Sequence, residues 1–199
     1  MLEYQLEDQL KREGYTLVCG TDEAGRGCLC GPVYAAAVIL PEGYTHPKLN
    51  DSKKISPAVR EALFEDIIKN AVAYGIAFSD VEEIDEMNIL NASQLAMRRA
   101  VEMLDPAPDF VLIDGNVSRG FEIPNRAVIG GDGISPSIAA ASVLAKVSRD
   151  RFILELDAKY PQYALAKHKG YCTKLHKELL NRYGACEIYR KTFLKKVLG

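Results

Sequence analysis

No apolar stretch in this 199-residue chain approaches the length of a bilayer span. The N-terminus, Met1-Leu2-Glu3-Tyr4-Gln5, lacks the basic start and apolar centre of a secretory signal. These absences argue against a membrane-spanning or exported protein, and the expected location is cytoplasmic, with no membrane partner. Cysteine is sparse, odd in number and irregularly spaced (Cys19, Cys28, Cys30, Cys172, Cys186), which speaks against a disulfide framework. Cys28-Leu29-Cys30 with Cys172 offers thiolates to zinc, but a one-residue gap is not the spacing of a ribbon or finger, and small buried thiols are the better reading. Only three histidines occur, His46, His168 and His176, and they read as surface or packing residues. No internal repeat or low-complexity linker divides the chain, so one domain over residues 1–199 is expected; 48% hydrophobic content gives it a substantial core.

An excess of positive charge is also missing, since the formal net charge is only −2. The distribution changes that reading. Residues 159–199 carry ten Lys/Arg against two acidic residues, a net of +8, and the remainder carries −10. Such asymmetry suits a basic surface for phosphates beside an acidic body. Tyr160, Tyr163, Tyr171, Tyr183, Tyr189 and Phe193 interleave with the basic residues and supply flat rings for bases or sugars, although several of them must be core. A helix with a solvated basic face is the alternative for the charge run alone.

The acidic body has a pattern of its own. The strand-like run Leu17-Val18-Cys19-Gly20-Thr21 ends in Asp22-Glu23-Ala24-Gly25-Arg26-Gly27. On a straight strand Asp22 and Glu23 point to opposite faces, so a turn at Gly25 and Gly27 is expected to bring them together. Two more β-rich runs end alike: Phe110-Val111-Leu112-Ile113 in Asp114-Gly115, and Ala127-Val128-Ile129 in Gly130-Gly131-Asp132-Gly133. Taken singly, each aspartate also reads as a cap or an Asx-turn. Jointly, four carboxylates at strand ends repel one another unless cations neutralise them, and an all-oxygen set suits two divalent ions, Mg²⁺ or Mn²⁺.

The order of motifs resembles the ribonuclease HII family. The segments are Thr21-Asp22-Glu23-Ala24-Gly25-Arg26-Gly27, Asn50-Asp51-Ser52-Lys53-Lys54, Ile113-Asp114-Gly115-Asn116, Gly131-Asp132, the run from Ser137 to Asp150, and His168-Lys169-Gly170-Tyr171. The resemblance implies a ribonuclease-H-like α/β fold. It also implies an endonuclease that cuts the RNA strand of RNA/DNA hybrids and cuts 5′ to single ribonucleotides embedded in duplex DNA, leaving 3′-hydroxyl and 5′-phosphate ends. Asp22, Glu23, Asp114 and Asp132 become the implied metal ligands and catalytic residues. Gly25, Arg26 and Gly27 are implied to meet the 2′-hydroxyl, and Tyr171 to lie against the deoxyribose on the 3′ side. Lys53, Lys54, Ser142, Lys146 and Lys169 are candidate substrate contacts. A monomer is expected. Gly130, Ile134 and Tyr189 depart from the residues usual in the family, and Cys28 and Cys30 are expected to leave their loop open to oxidation. Two alternatives stand beside this reading: a non-catalytic nucleic-acid-binding protein of the same fold, and a ribonuclease HIII-like hybrid nuclease.

Periodicity and turn signals predict the elements. Helices are expected over residues 4–13, 56–70, 88–104, from 135 onward, 173–183 and 188–197; strands over 16–21, 32–40, 71–79, 110–113 and 127–129. The first two strands should form an antiparallel hairpin. The sum is a mixed five-stranded sheet flanked by helices, with a basic helical C-terminal region and not a second domain.

Overall fold

A computed structural model of the protein describes residues 2–195. In chain order it has α1 (Gln5–Arg12), β1 (Val18–Ala24), β2 (Val33–Ile39), α2 (Pro57–Asn70), β3 (Ala73–Ser79), α3 (Val81–Met87), α4 (Ile89–Glu102), β4 (Phe110–Asp114), β5 (Asn125–Val128), α5 (Pro136–Lys159), α6 (Leu165–His168), α7 (Lys174–Tyr183) and α8 (Lys191–Leu194). The strands form one sheet in the order β3-β2-β1-β4-β5. β1 pairs antiparallel with β2, and β2 with β3, whereas β1–β4 and β4–β5 are parallel. The chain leaves β1 toward one side of the sheet and later returns to place β4 on its other side. Between β1 and β4 lies the reversal where ligands sit at strand C-terminal ends.

Strand alternation assigns the two faces. Val33, Ala35, Ala37 and Ile39 of β2, with Cys19, Val111 and Ile113, pack beneath Ala92, Ala96, Met97 and Ala100 of α4. Ala36 and Val38 meet Ala139, Ala140, Val143 and Leu144 of α5 together with Leu63, Phe64 and Ile67 of α2. The alanines of α5 let it lie close on the sheet. The tightest point is Gly20, where an added Cβ would stand 2.2 Å from the Ile138 backbone nitrogen. α5 begins with Ser135 as cap, its hydroxyl accepting from Ile138 N–H, and Pro136 in the first turn. The buried Glu7 carboxylate of α1 accepts from Ser135 Oγ, Ser137 Oγ and Ser137 N–H, so α1 fastens the start of α5.

The helices over 56–70 and 88–104, the hairpin and the five-stranded sheet follow the sequence reading. α3 departs from it. Asp80 accepts from Glu83 N–H while the Glu83 carboxylate accepts from Asp80 N–H, a capping box readable as Asp-x-x-Glu before an apolar residue. The last helix is shorter than expected, and its expected end, residues 196 and 197, lies outside the described residues. Among the described residues no helix is long and apolar enough to cross a membrane. In the C-terminal region, Tyr163 and Tyr189 are core residues packed with Leu29, Cys30, Ile153, Leu165 and Leu180, while Tyr171 and Tyr183 are exposed.

The contact at Gly20 yields a sharp test. Gly20→Ala should destabilise the protein by about 1–3 kcal/mol, because the methyl group meets backbone that can move only with the whole helix. Gly133→Ala, with nothing within 4 Å of the added carbon, should stay within about 0.5 kcal/mol of the parent in urea unfolding. Equal midpoints for the two variants would contradict this packing.

Candidate active site

β1 carries Asp22 and Glu23 inside the strand, not after it, and this corrects the expectation that a glycine turn brings them together. The turn begins only at Gly25, whose φ is 101°. Convergence comes from the sheet itself. Asp22 shares the α5 face with Gly20 and lies one residue beyond the last parallel rung, Thr21 beside Ile113, so it ends next to Asp114. Glu23 leaves from the other side of the ribbon but stays at the same open end, where Arg26 Nη1 holds its Oε1 at 3.1 Å. Asp132 follows β5 in a short 3₁₀ turn, Gly131–Gly133, and its backbone N–H points at Asp114 Oδ1 at 3.4 Å.

The electrostatics record the crowding. Burial pushes the Asp22 carboxyl well above its ordinary range, and the charges of Glu23 and Asp114 push it further; Ser142 beside it and the Glu23 N–H, 2.6 Å from Asp22 Oδ1, pull the other way. Glu23 is raised by burial and drawn part of the way back by Arg26. Asp132 is raised by burial, then by Asp114 and Asp51. Lys53 lies at the exposed edge of the cluster. Its Nζ is 3.7 Å from Asp132 Oδ2, and although burial alone would lower its pKa, Asp22, Asp132, Asp51 and Asp114 together raise it. An ammonium group thus occupies the electrostatic role that a cation would take.

Among the described residues, no three His, Cys, Asp or Glu side chains are already gathered into a metal-holding set. The four carboxylates approach one another without closing, and Arg26 at Glu23 and Lys53 at Asp132 offset only part of their mutual repulsion. Their chemistry fits hard divalent ions: oxygen donors alone, and a neighbouring exposed cation that can be displaced. The zinc alternative has no support, for Cys28 and Cys30 are buried with thiol pKa values pushed up by burial and Cys172 is exposed. The same burial corrects the expectation that the loop of Cys28 and Cys30 is open to oxidation.

A second group of expected residues gathers beside the first. Arg26 and Gly27 are exposed at the tip of the loop, and Cys28 bridges in strand fashion to Tyr171, which is 41% exposed. Lys146 Nζ sits 5.7 Å from the Tyr171 ring centre and 2.7 Å from Asp150 Oδ1. Lys169 has a left-handed backbone, and its carbonyl accepts from Arg149 Nη1 at 3.0 Å. Ser142 is buried, 2.9 Å from Ser52 Oγ and beside Asp22, whose carboxylate it hydrogen-bonds. Lys54 turns to Asp51 at 3.5 Å.

Sequence reasoning assigned no role to two buried arginines. Arg149 donates from Nε to Pro32 O, from Nη1 to Lys169 O and from Nη2 to Cys30 O. Arg190 donates to Gly31 O and Arg26 O, and burial lowers its pKa to about 10. A signal for Arg149 existed: on α5 it follows Ser142 and Ala145 along one buried face toward Ile153. His168 and His176 are packing residues, stacked 4.0 Å apart. Gly170 N–H donates to His168 Nδ1, which leaves Nε2 as the donor to Tyr163 O. His176 Nδ1 faces Tyr171 O, which can only accept, so Nδ1 carries the hydrogen and Nε2 accepts from Tyr189 OH.

The raised Asp22 carboxyl has a thermodynamic consequence. The folded state holds that proton more tightly than the unfolded chain, so metal-free stability falls as pH rises from the ordinary carboxylate range through the raised folded value. Asp22→Asn, which keeps an acceptor for Glu23 N–H, should therefore melt higher than the parent in chelator at neutral pH, and the gap should shrink on acidification. A variant that melts lower throughout would show that Asp22 is not under repulsion.

A family model described as Ribonuclease HII matches residues 19–197. A relative named Ribonuclease HII from Caldicellulosiruptor bescii is 52% identical over 201 residues, covering 98% of this chain and 95% of that one. In three dimensions the chain resembles the crystal structure of ribonuclease H2 from Pyrococcus horikoshii OT3 (TM-score 0.73, 28% identity, 89% of this chain and 93% of that one). It also resembles the Bst-RNase HIII crystallised with Mn²⁺ (TM-score 0.68, 17% identity, 92% of this chain and 69% of that one), which shows the shared fold alone. The five-stranded sheet, with acids at the C-terminal ends of its parallel strands, is a ribonuclease-H-like architecture, and the chain belongs to the ribonuclease HII family.

Proposed function

We propose that Asp22, Glu23, Asp114 and Asp132 hold two divalent ions, Mg²⁺ or Mn²⁺, and that the chain uses them to cut on the 5′ side of a ribonucleotide, leaving 3′-hydroxyl and 5′-phosphate ends. The coarser activity follows from the family: the protein is a metal-dependent ribonuclease H, an endonuclease acting on the RNA strand of RNA/DNA hybrids. The observation that carries the finer reading is the convergence of four carboxylates whose charges are balanced only in part, by Arg26 at Glu23 and by Lys53 at Asp132. When bound, divalent ions supply a water acidic enough to attack phosphorus at neutral pH and positive charge for the leaving oxygen. Asp22 is oriented for that work by Ser142 and the Glu23 N–H, and Glu23 by Arg26. Lys53 then becomes free to meet the phosphate that enters with the ions.

Selection of RNA falls to the second group. Arg26 and Gly27 are exposed residues of the loop whose Cys28 bridges to Tyr171, and backbone brought close to a sugar there can exchange hydrogen bonds with a 2′-hydroxyl where a side chain would not fit. Tyr171 supplies a flat face for the neighbouring deoxyribose, with Lys146 and Lys169 on the phosphate side. Lys54 is an outer phosphate contact. A monomer acting as one catalytic unit over residues 1–199 suits the core that Leu29 and Cys30 share with the basic C-terminal region. A non-catalytic binder of the same fold gains nothing from four repelling acids beside a polyanion.

The decisive assay is cleavage of a DNA duplex carrying one ribonucleotide, with Mg²⁺ or Mn²⁺, beside an all-DNA control. Cleavage should occur only at the ribonucleotide. Asp22→Asn, Asp114→Asn and Asp132→Asn should each lower the rate by at least about 10²-fold while the fold persists. Retention of a tenth of the activity by all three would dismiss the two-ion assignment.

A further inference from the structure

The Arg149 guanidinium lies where the two proposed RNA-reading elements meet. On one side is Gly25: a Cβ there would stand 2.0 Å from Arg149 Nε. On another is Gly170, whose added Cβ would lie 3.3 Å from Arg149 Nη2. Both glycines leave room for the same side chain. Arg149 is 1% exposed, and its three bonds run to carbonyls of two separated segments, Cys30 and Pro32 after the glycine loop and Lys169 before Tyr171. The backbone adds one direct tie, Leu29 N–H to Gly170 O at 2.8 Å. The ion pairs among the described residues include neither Arg149 nor Arg190. A buried cation bonded only to carbonyls is costly, and lysine, a point charge on a flexible stem, cannot span three carbonyls as a planar fork does.

We propose that Arg149 is a positioning residue for specificity: it sets the spacing between the Gly25-Arg26-Gly27 backbone and the Tyr171 ring, and thereby the selection of a single ribonucleotide followed by DNA. The inference rests on the reading of those two elements given above. A long hybrid offers a 2′-hydroxyl at every sugar of one strand, so a loosened reader still finds a register. A lone ribonucleotide offers one. Both the 2′-hydroxyl and the deoxyribose on its 3′ side must then be met at once, and a shift of about 1 Å between the two contacts is enough to cost about 10²-fold. Arg190, which bonds Arg26 O and Gly31 O, braces the same loop but makes no bond to the Tyr171 turn.

The test compares initial rates on a duplex with one ribonucleotide and on a long RNA/DNA hybrid for the parent, Arg149→Lys, Arg149→Gln, Tyr171→Ala and the double variant Arg149→Lys/Tyr171→Ala, with thermal unfolding to confirm folding. Arg149→Lys keeps the charge, whereas Arg149→Gln keeps two donors without burying an ion. The expected result is a fall of about tenfold or more in the single-to-hybrid rate ratio for each folded Arg149 variant, with the double variant no more altered in ratio than Tyr171→Ala. An unchanged ratio in folded Arg149 variants, while Tyr171→Ala lowers it, would overturn the role of Arg149 and leave Tyr171 as a reader. Equal loss on both substrates in Tyr171→Ala would overturn the underlying reading itself. Failure of both Arg149 variants to fold would likewise overturn the proposal, making Arg149 a support of the fold.

Discussion

Four carboxylates held at one end of a sheet against their own repulsion are the constraint on which the rest of this structure depends. Asp22 and Asp114 are neighbours because β1 and β4 run parallel and in register, and Asp132 joins them through the turn after β5. None of these positions can relax independently. Asp22 lies two residues from Gly20, where α5 presses backbone against backbone, and Asp132 lies three residues before the cap of α5, which Glu7 fastens from α1. The repulsion is therefore carried by the packing of α5 on the sheet, a large apolar contact able to sustain the strain of a few buried charges. Lys53 balances part of the charge from outside, through a largely exposed side chain.

Much of this was legible in the chain. Runs of β-branched residues ending in aspartate mark strand ends, and in a sheet of mixed direction strand ends of one sense collect at one edge, so the acids could be grouped before any coordinate was known. Alanine in the first turns of α5 announced a close approach, and Ser56-Pro57 and Ser135-Pro136 announced helix starts. The route by which Asp22 and Glu23 converge was not legible, because the end of β1 depends on hydrogen bonds to β2 that reach Ala24, whereas the glycines after it suggested an earlier stop. α3 was overlooked although its capping box stood in the sequence at Asp80 and Glu83.

Arg149 was hidden for a different reason. Side-chain partners leave traces in a sequence, as complementary charges or paired polar residues, but the partners of Arg149 are carbonyls, which every residue has. The clue was indirect: glycine at 25 and at 170, each leaving space beside the same guanidinium. Ser142 was legible as a residue near the acids, but its buried contacts to Asp22 and Ser52 were not, because they depend on how α5 meets the turn over residues 50–54.

Charge of opposite sign is thus placed in two roles. The acids gather at the open end of the sheet, Asp22 and Asp132 nearly buried there, while the two arginines are buried beneath the loop and hold its backbone without offering their nitrogens to solvent. Guanidinium groups at the surface would bind phosphate of any duplex and favour DNA as much as RNA. Turned inward, the same cations fix carbonyls, and in the function proposed above recognition falls to backbone and to one aromatic ring, groups that respond to the presence of a 2′-hydroxyl and the shape of a sugar. Under that reading non-specific attraction falls to the exposed lysines and Arg26 and specificity to loop backbone and the Tyr171 ring, a division compatible with a net charge of only −2.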